Sequence, residues 1–134
     1  MKSAGIIEKL PKLLSVQSES SDAITSYWET GTYHNANHPH TIADSISVKT
    51  PANAHWAVEA LYQTQGKSIR VSDDEILSDQ KYLAQTTGIF AEPSSAAVFS
   101  GLKKALTQQW IKPEEKVVLL ITGTGLKDIN AARL

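Results

Sequence analysis

Apolar positions along the chain follow two periods in alternation, and this predicts strands and helices in turn. The run Lys116-Val117-Val118-Leu119-Leu120-Ile121 is continuous, too short for an ordinary helix and rich in strand formers. A strand buried on both faces of a parallel sheet has this pattern. Leu13-Leu14-Ser15-Val16 and Ser68-Ile69-Arg70-Val71 are shorter strand candidates, each just ahead of polar residues able to open a helix. Ile24, Tyr27 and Trp28 take the i, i+3, i+4 spacing after Ser21, and Ala57, Ala60, Leu61 and Thr64 repeat it before Gly66. Ser72-Asp73-Asp74-Glu75 has capping-box spacing, with Ile76, Leu83 and Ala84 as the buried face of a helix to about Thr87. A fourth helix opens at Glu92-Pro93-Ser94 and carries Val98, Leu102, Ala105 and Leu106 on one stripe. The sum is an α/β arrangement with a parallel sheet.

Composition narrows the function classes. Thirteen Lys and Arg against fourteen Asp and Glu leave a formal charge of -1, so no overall field draws in a polyanion, and nucleic acid is not expected as a partner. A hydrophobic content of 41% in 134 residues suits one compact unit, residues 1–134. No apolar stretch is long enough for a bilayer, and Met1-Lys2-Ser3-Ala4-Gly5-Ile6-Ile7 lacks the apolar core of a signal peptide; the expectation is a cytoplasmic protein without a membrane partner. The absence of cysteine excludes disulfides and thiolate chemistry.

Three stretches carry candidate chemistry. Between Thr30 and Ile46 the periodicity dissolves into turn formers, including His34, His38 and His40. Their spacing is not that of helical metal ligands and few carboxylates accompany them, so they read as solvated loop residues and no metal site is expected. Thr122-Gly123-Thr124-Gly125-Leu126-Lys127-Asp128 follows the best strand, where parallel sheets bind ligands and glycines permit close approach of backbone; a plain glycine turn accounts for the same pattern. Gly88-Ile89-Phe90-Ala91-Glu92-Pro93-Ser94-Ser95-Ala96-Ala97 opens a helix whose first-turn amides can hold an anion, while Ser94 and Ser95 also suit simple capping.

The phrase from Leu119 to Asp128 is similar to the closing strand-and-loop motif of threonine synthases, and that from Gly88 to Ala97 resembles their glutamate-proline helix start. Leu10 to Gln17, Thr41 to Ile46 and Val71 to Ile76 also match, in the same order, so the resemblance covers nearly the whole chain. It implies the large domain of a fold-type II pyridoxal-phosphate enzyme, a three-layer fold with a mostly parallel sheet flanked by helices. It also implies an amino-acid substrate: the family turns O-phosphohomoserine and water into threonine and phosphate, with the cofactor as electron sink. By the motif match, Thr122 is the hydroxyl residue near the pyridine nitrogen, Gly123, Thr124 and Gly125 line the ring's edge, and Glu92 and Ser94 lie behind it.

The same resemblance implies absences. The family's covalent lysine stands in a serine-phenylalanine-lysine-aspartate context that no lysine here shares, and Lys127 matches a loop position instead. The glycine-rich loop for the cofactor phosphate is missing as well. The chain thus reads as the C-terminal portion of such an enzyme, an incomplete domain with no catalytic residue of its own, inactive alone and weak or lacking in cofactor. A non-catalytic binding module derived from such an enzyme is the alternative. Strands left uncovered in this way predict a homodimer, through sheet edges or exchange of the loop around Tyr33 to His40, unless a missing N-terminal half supplies the cover.

Overall fold

The computed structural model describes residues 2–129. In chain order the elements are β1 (Leu14–Ser18), α1 (Ala23–Thr30), α2 (Ala54–Gln63), β2 (Lys67–Val71), α3 (Asp73–Thr87) and α4 (Pro93–Thr107), with 3₁₀ turns at Asp44–Ile46 and Gly125–Lys127. The two strands pair in parallel, from Leu14 opposite Lys67 to Ser18 opposite Val71; α1 and α4 pack on them, α2 packs against α1 and α3 against α4. No helix among the described residues is long and apolar enough to cross a membrane.

Polar side chains tie the sheet to α1. The carboxamide oxygen of Gln17, on β1, accepts the amides of Ile24 and Thr25 at 2.9 and 2.8 Å, filling the capping role that Asp22 leaves open. Thr25 and Ser68 share a buried hydroxyl contact at 2.8 Å. Arg70, on β2, donates through Nε to Asp22 at 2.7 Å and through both terminal nitrogens to Glu29 at 2.8 Å, a bidentate fork. Burial works against ionised Asp22, yet Arg70 and Ser26 outweigh it and hold its carboxyl below the ordinary value. Arg70 holds Glu29 low as well.

The capping box at α3 forms as its spacing predicts: Ser72 Oγ accepts the Glu75 amide at 3.2 Å and Glu75 accepts the Ser72 amide at 2.8 Å. Ile76 and Leu83 are buried on its inner face, joining Val71, Ala43, Ala91, Ala96 and Ala97 in the core. On α2 the buried face falls on Ala54, Val58 and Leu61 rather than on Ala57, Ala60 and Thr64. On α4 the large residues do not make the stripe. Leu106 is exposed and Val98 and Leu102 are half-buried, while Ser95, Ala96, Ala97, Ser100, Gly101 and Ala105 face inward. Close approach is the reason: a Cβ at Gly101 would lie 2.3 Å from Val16 Cγ2, so the helix sits too near β1 for bulk on that side.

The strand expected at Lys116 to Ile121 is not formed among the described residues. The segment is without a ladder, Val118 is 82% and Leu120 72% exposed, and only Leu119 and Ile121 are partly covered, Ile121 against the core. A strand exists by pairing, and the sheet ends at β1 and β2. The apolar run encodes cover that the described residues do not provide.

Two outcomes follow from this packing. Gly101→Ala is expected to destabilise the fold by about 1–3 kcal/mol, because the stiff Val16 side chain must give way, and Val16→Ala in the same chain should recover part of the loss in chemical denaturation. Because the folded-state carboxyls of Asp22 and Glu29 are depressed, their contribution is present above the unfolded values and is lost as pH falls through the folded ones. Stability should therefore fall below about pH 4, and Arg70→Gln should flatten that limb of the pH profile.

Candidate functional site

The turn after the extended segment is anchored by the start of α4. Glu92 donates its amide to the Gly123 carbonyl at 3.1 Å and Gly125 donates to the Phe90 carbonyl at 2.8 Å, an antiparallel bridge between Ala91 and Thr124. The two stretches singled out in the sequence therefore lie against one another. Gln80 braces the junction from α3, donating to the buried Ala91 carbonyl at 2.6 Å.

Ser95 is the residue that sequence reasoning left out of the site. Only 3% exposed, it accepts the amides of Thr122 and Gly123 on Oγ at 3.2 and 2.9 Å and lies 3.4 Å from Thr122 Oγ1. Neither serine caps α4 through its side chain, as the sequence suggested. The N-cap is Glu92, whose carbonyl accepts the Ser95 and Ala96 amides, and Ser94 Oγ accepts the Ser45 amide at 3.1 Å. The only signal for Ser95 lay in the pairing of two hydroxyls in one four-residue helix start, where capping needs one.

The glycines are close-approach positions. A Cβ at Gly123 would fall 2.1 Å from the Glu92 carboxyl carbon, and one at Gly125 2.6 Å from the Phe90 ring. Thr122 and Thr124 are exposed, and Thr124 Oγ1 accepts the Leu126 amide at 3.4 Å. The arrangement presents the exposed hydroxyls of Thr122 and Thr124 on a backbone whose amides are held by Ser95 of α4, with a carboxylate beside the turn.

Residues 41–46 lie close by. Thr41 Oγ1 donates to Asp73, whose other carboxylate oxygen accepts the Ile42 amide at 3.1 Å, so this stretch is tied to the start of α3 and, through Ser45, to the start of α4. Farther along the helices, Lys103 pairs with the buried Asp79, and Lys104 donates to Glu75 at 3.0 Å and to the Arg70 carbonyl at 2.9 Å. Burial opposes ionised Glu75, but the Ser72 amide and Lys104 outweigh it and leave its carboxyl below the ordinary value.

His34, His38 and His40 are exposed, and among the described residues no cluster of three or more His, Asp and Glu is placed to hold a metal. Tyr33 packs edgewise on Tyr27, which contacts His55 Nδ1 at 2.8 Å, so the loop is anchored by an aromatic group.

Residues 2–123 match the family model of pyridoxal-phosphate dependent enzymes. The threonine synthase of Methanocaldococcus jannaschii is 40% identical over 133 residues, which are 96% of this chain and 32% of that protein. That of Mycobacterium tuberculosis is 38% identical over 128 residues, 96% of this chain and 34% of the relative. The chain spans about a third of the length of the curated relatives it matches. Among solved structures, a fungal L-serine ammonia-lyase from Rhizomucor miehei superposes with a TM-score of 0.77 at 20% identity, over 98% of this chain and 43% of that one. The likeness bears out the fold class, α/β of the fold-type II kind with a parallel sheet flanked by helices.

Gly125→Ala should lower the melting temperature, at a cost of about 1–3 kcal/mol, since Phe90 has to leave its place beside the turn. Gly123→Ala should cost less, because the far end of the Glu92 side chain can swing aside; thermal melts of the two variants compare them directly.

Proposed function

Because the chain belongs to the family of pyridoxal-phosphate dependent enzymes, we propose that it is a portion of a threonine synthase bearing the pyridine-nitrogen side of the cofactor site. The observation that carries this reading is the Thr122 hydroxyl, exposed on a turn whose backbone is fixed by Ser95. The resemblance to threonine synthases over nearly the whole chain supports it. The residues fit one end of the cofactor: Thr122 would meet the ring nitrogen, and Gly123, Thr124 and Gly125 would line the ring's edge, the two glycines letting the turn pack against Glu92 and Phe90. Glu92 borders the turn, and Ser94 serves by holding Ser45. When bound, the cofactor supplies the electron sink for converting O-phosphohomoserine and water into threonine and phosphate.

The covalent lysine and the cofactor's phosphate cup belong, in this reading, to the rest of the enzyme. The chain alone is then an incomplete α/β domain, inactive and weak in cofactor binding. The uncovered apolar segment from Lys116 to Ile121 favours a second element of the reading, that this edge is covered by a homodimer partner or by the remaining part of the enzyme.

Borohydride reduction in the presence of pyridoxal phosphate, followed by peptide mapping, is expected to scatter label over several lysines. Stoichiometric label on one lysine overturns the division of the site. Light scattering across concentrations should register self-association, and a cooperative monomer at high concentration counts against the uncovered edge. In a complete enzyme containing this segment, Thr122→Ala should reduce turnover about tenfold or more with an unchanged melting temperature. Full turnover in the folded variant removes Thr122 from the site.

A further inference from the structure

A charged groove lies between α3 and the end of α4, at the far end of that helix from the Thr122 turn. Its volume is about 430 Å³, room enough for a small metabolite. Lys103 pairs there with Asp79 and Lys104 with Glu75, so the four charges cancel. Among the described residues each carboxylate takes its hydrogen bonds on one oxygen, Asp79 on Oδ1 from Lys103 and Glu75 on Oε2 from the Ser72 amide and Lys104. Asp79 Oδ2 and Glu75 Oε1 remain as acceptors. The hydroxyls of the lining add to them. Ser78 and Ser100 donate to the Glu75 carbonyl at 3.1 and 3.3 Å, and Thr107 donates to the Lys103 carbonyl at 3.0 Å. Each proton is thus spent on the helices themselves, and only lone pairs are left for a ligand. Asp79 and Ser100 are 4% and 3% exposed, so the deepest part of the lining accepts.

Donors come from α4. An ammonium group has three N–H bonds; Lys103 gives one to Asp79, and Lys104 gives one to Glu75 and one to the Arg70 carbonyl at 2.9 Å, so both keep N–H to spare. The exposed Gln108 amide stands beside them. A bare cation in this groove meets two lysines and a bare anion meets two carboxylates, whereas a ligand carrying both charges satisfies acceptors and donors together. We propose that the groove is a binding site for a small zwitterionic α-amino acid. Its ammonium sits on Asp79 and the hydroxyl oxygens, and its carboxylate on the spare N–H groups of Lys103, Lys104 and Gln108. The site draws on no residue of the Thr122 turn and stands apart from the cofactor reading.

The test titrates the ¹⁵N-labelled chain with L-alanine, and in parallel with ethylamine and propionate, which carry one charge each. L-Alanine should shift the amides of residues 75–79 and 100–108 saturably in the millimolar range, as befits so small a ligand, and leave those of Thr122 and Gly123 unmoved. Ethylamine and propionate should bind about tenfold more weakly or worse. Asp79→Asn, of equal size, should weaken L-alanine binding about tenfold or more. Ser100→Ala and Gln108→Ala, which keep every charge of the groove, should each weaken it about threefold; they carry the test if Asp79→Asn does not fold. A folded chain whose groove amides stay unmoved to about 100 mM L-alanine overturns the site. Binding of ethylamine or propionate as tight as that of L-alanine overturns the zwitterion assignment. Unaltered binding in folded Asp79→Asn, or in both Ser100→Ala and Gln108→Ala, overturns the seating of the two charged groups.

Discussion

An extended segment that has no sheet neighbour needs its peptide groups satisfied elsewhere, and at the end of the run from Lys116 this is done by one buried oxygen. Ser95 Oγ takes two successive amides where a strand would have offered carbonyls. The bridge from Phe90 and Glu92 to Gly125 and Gly123 continues the hold for three residues, and Gln80 secures the intervening carbonyl from behind. The position of Thr122 thus depends on α4, whose own depth depends on the small residues that let it approach β1. Gly101, which sets that depth, and Ser95, which holds the Thr122 backbone, lie on the same helix, about two turns apart.

Much of this was legible in the sequence where a local rule decides. The capping box at Ser72 and Glu75, the proline at the first position of α4 and the two paired strands all form within a residue or two of expectation, because caps and short strand formers act on their neighbours. The turn at Thr122 and the helix start at Glu92 were each visible as candidate chemistry, and the fold brings them together. Long-range choices were less legible. The Lys116 run reads as a strand because its composition suits cover on both faces, but pairing is a relation between segments, and no sequence window contains the partner. On α4 the large residues predicted the wrong stripe, since periodicity registers bulk and not the distance at which a neighbour sits. Ser95 escaped for a related reason: capping accounts for a serine near a helix start, and only the fold reveals that its oxygen points across to another segment.

Glu92 and Ser94 illustrate how the same motif divides its tasks. Proline at position 93 fixes the entry angle, and the residues on either side of it turn in different directions, Glu92 toward Gly123 and Ser94 toward Ser45. One short helix start therefore sets the placement of two loops. A change at any of these positions alters a neighbour from a distant part of the chain, which explains why they cannot be judged as isolated side chains.

The stretch from Thr41 to Ser45 is fastened at both ends to helix starts, by Asp73 at one and Ser94 at the other. Releasing either end bares a polar group that its latch had satisfied, and freeing the whole stretch requires both latches to let go together. Its position is therefore set twice over, and loss of one latch leaves the other end held.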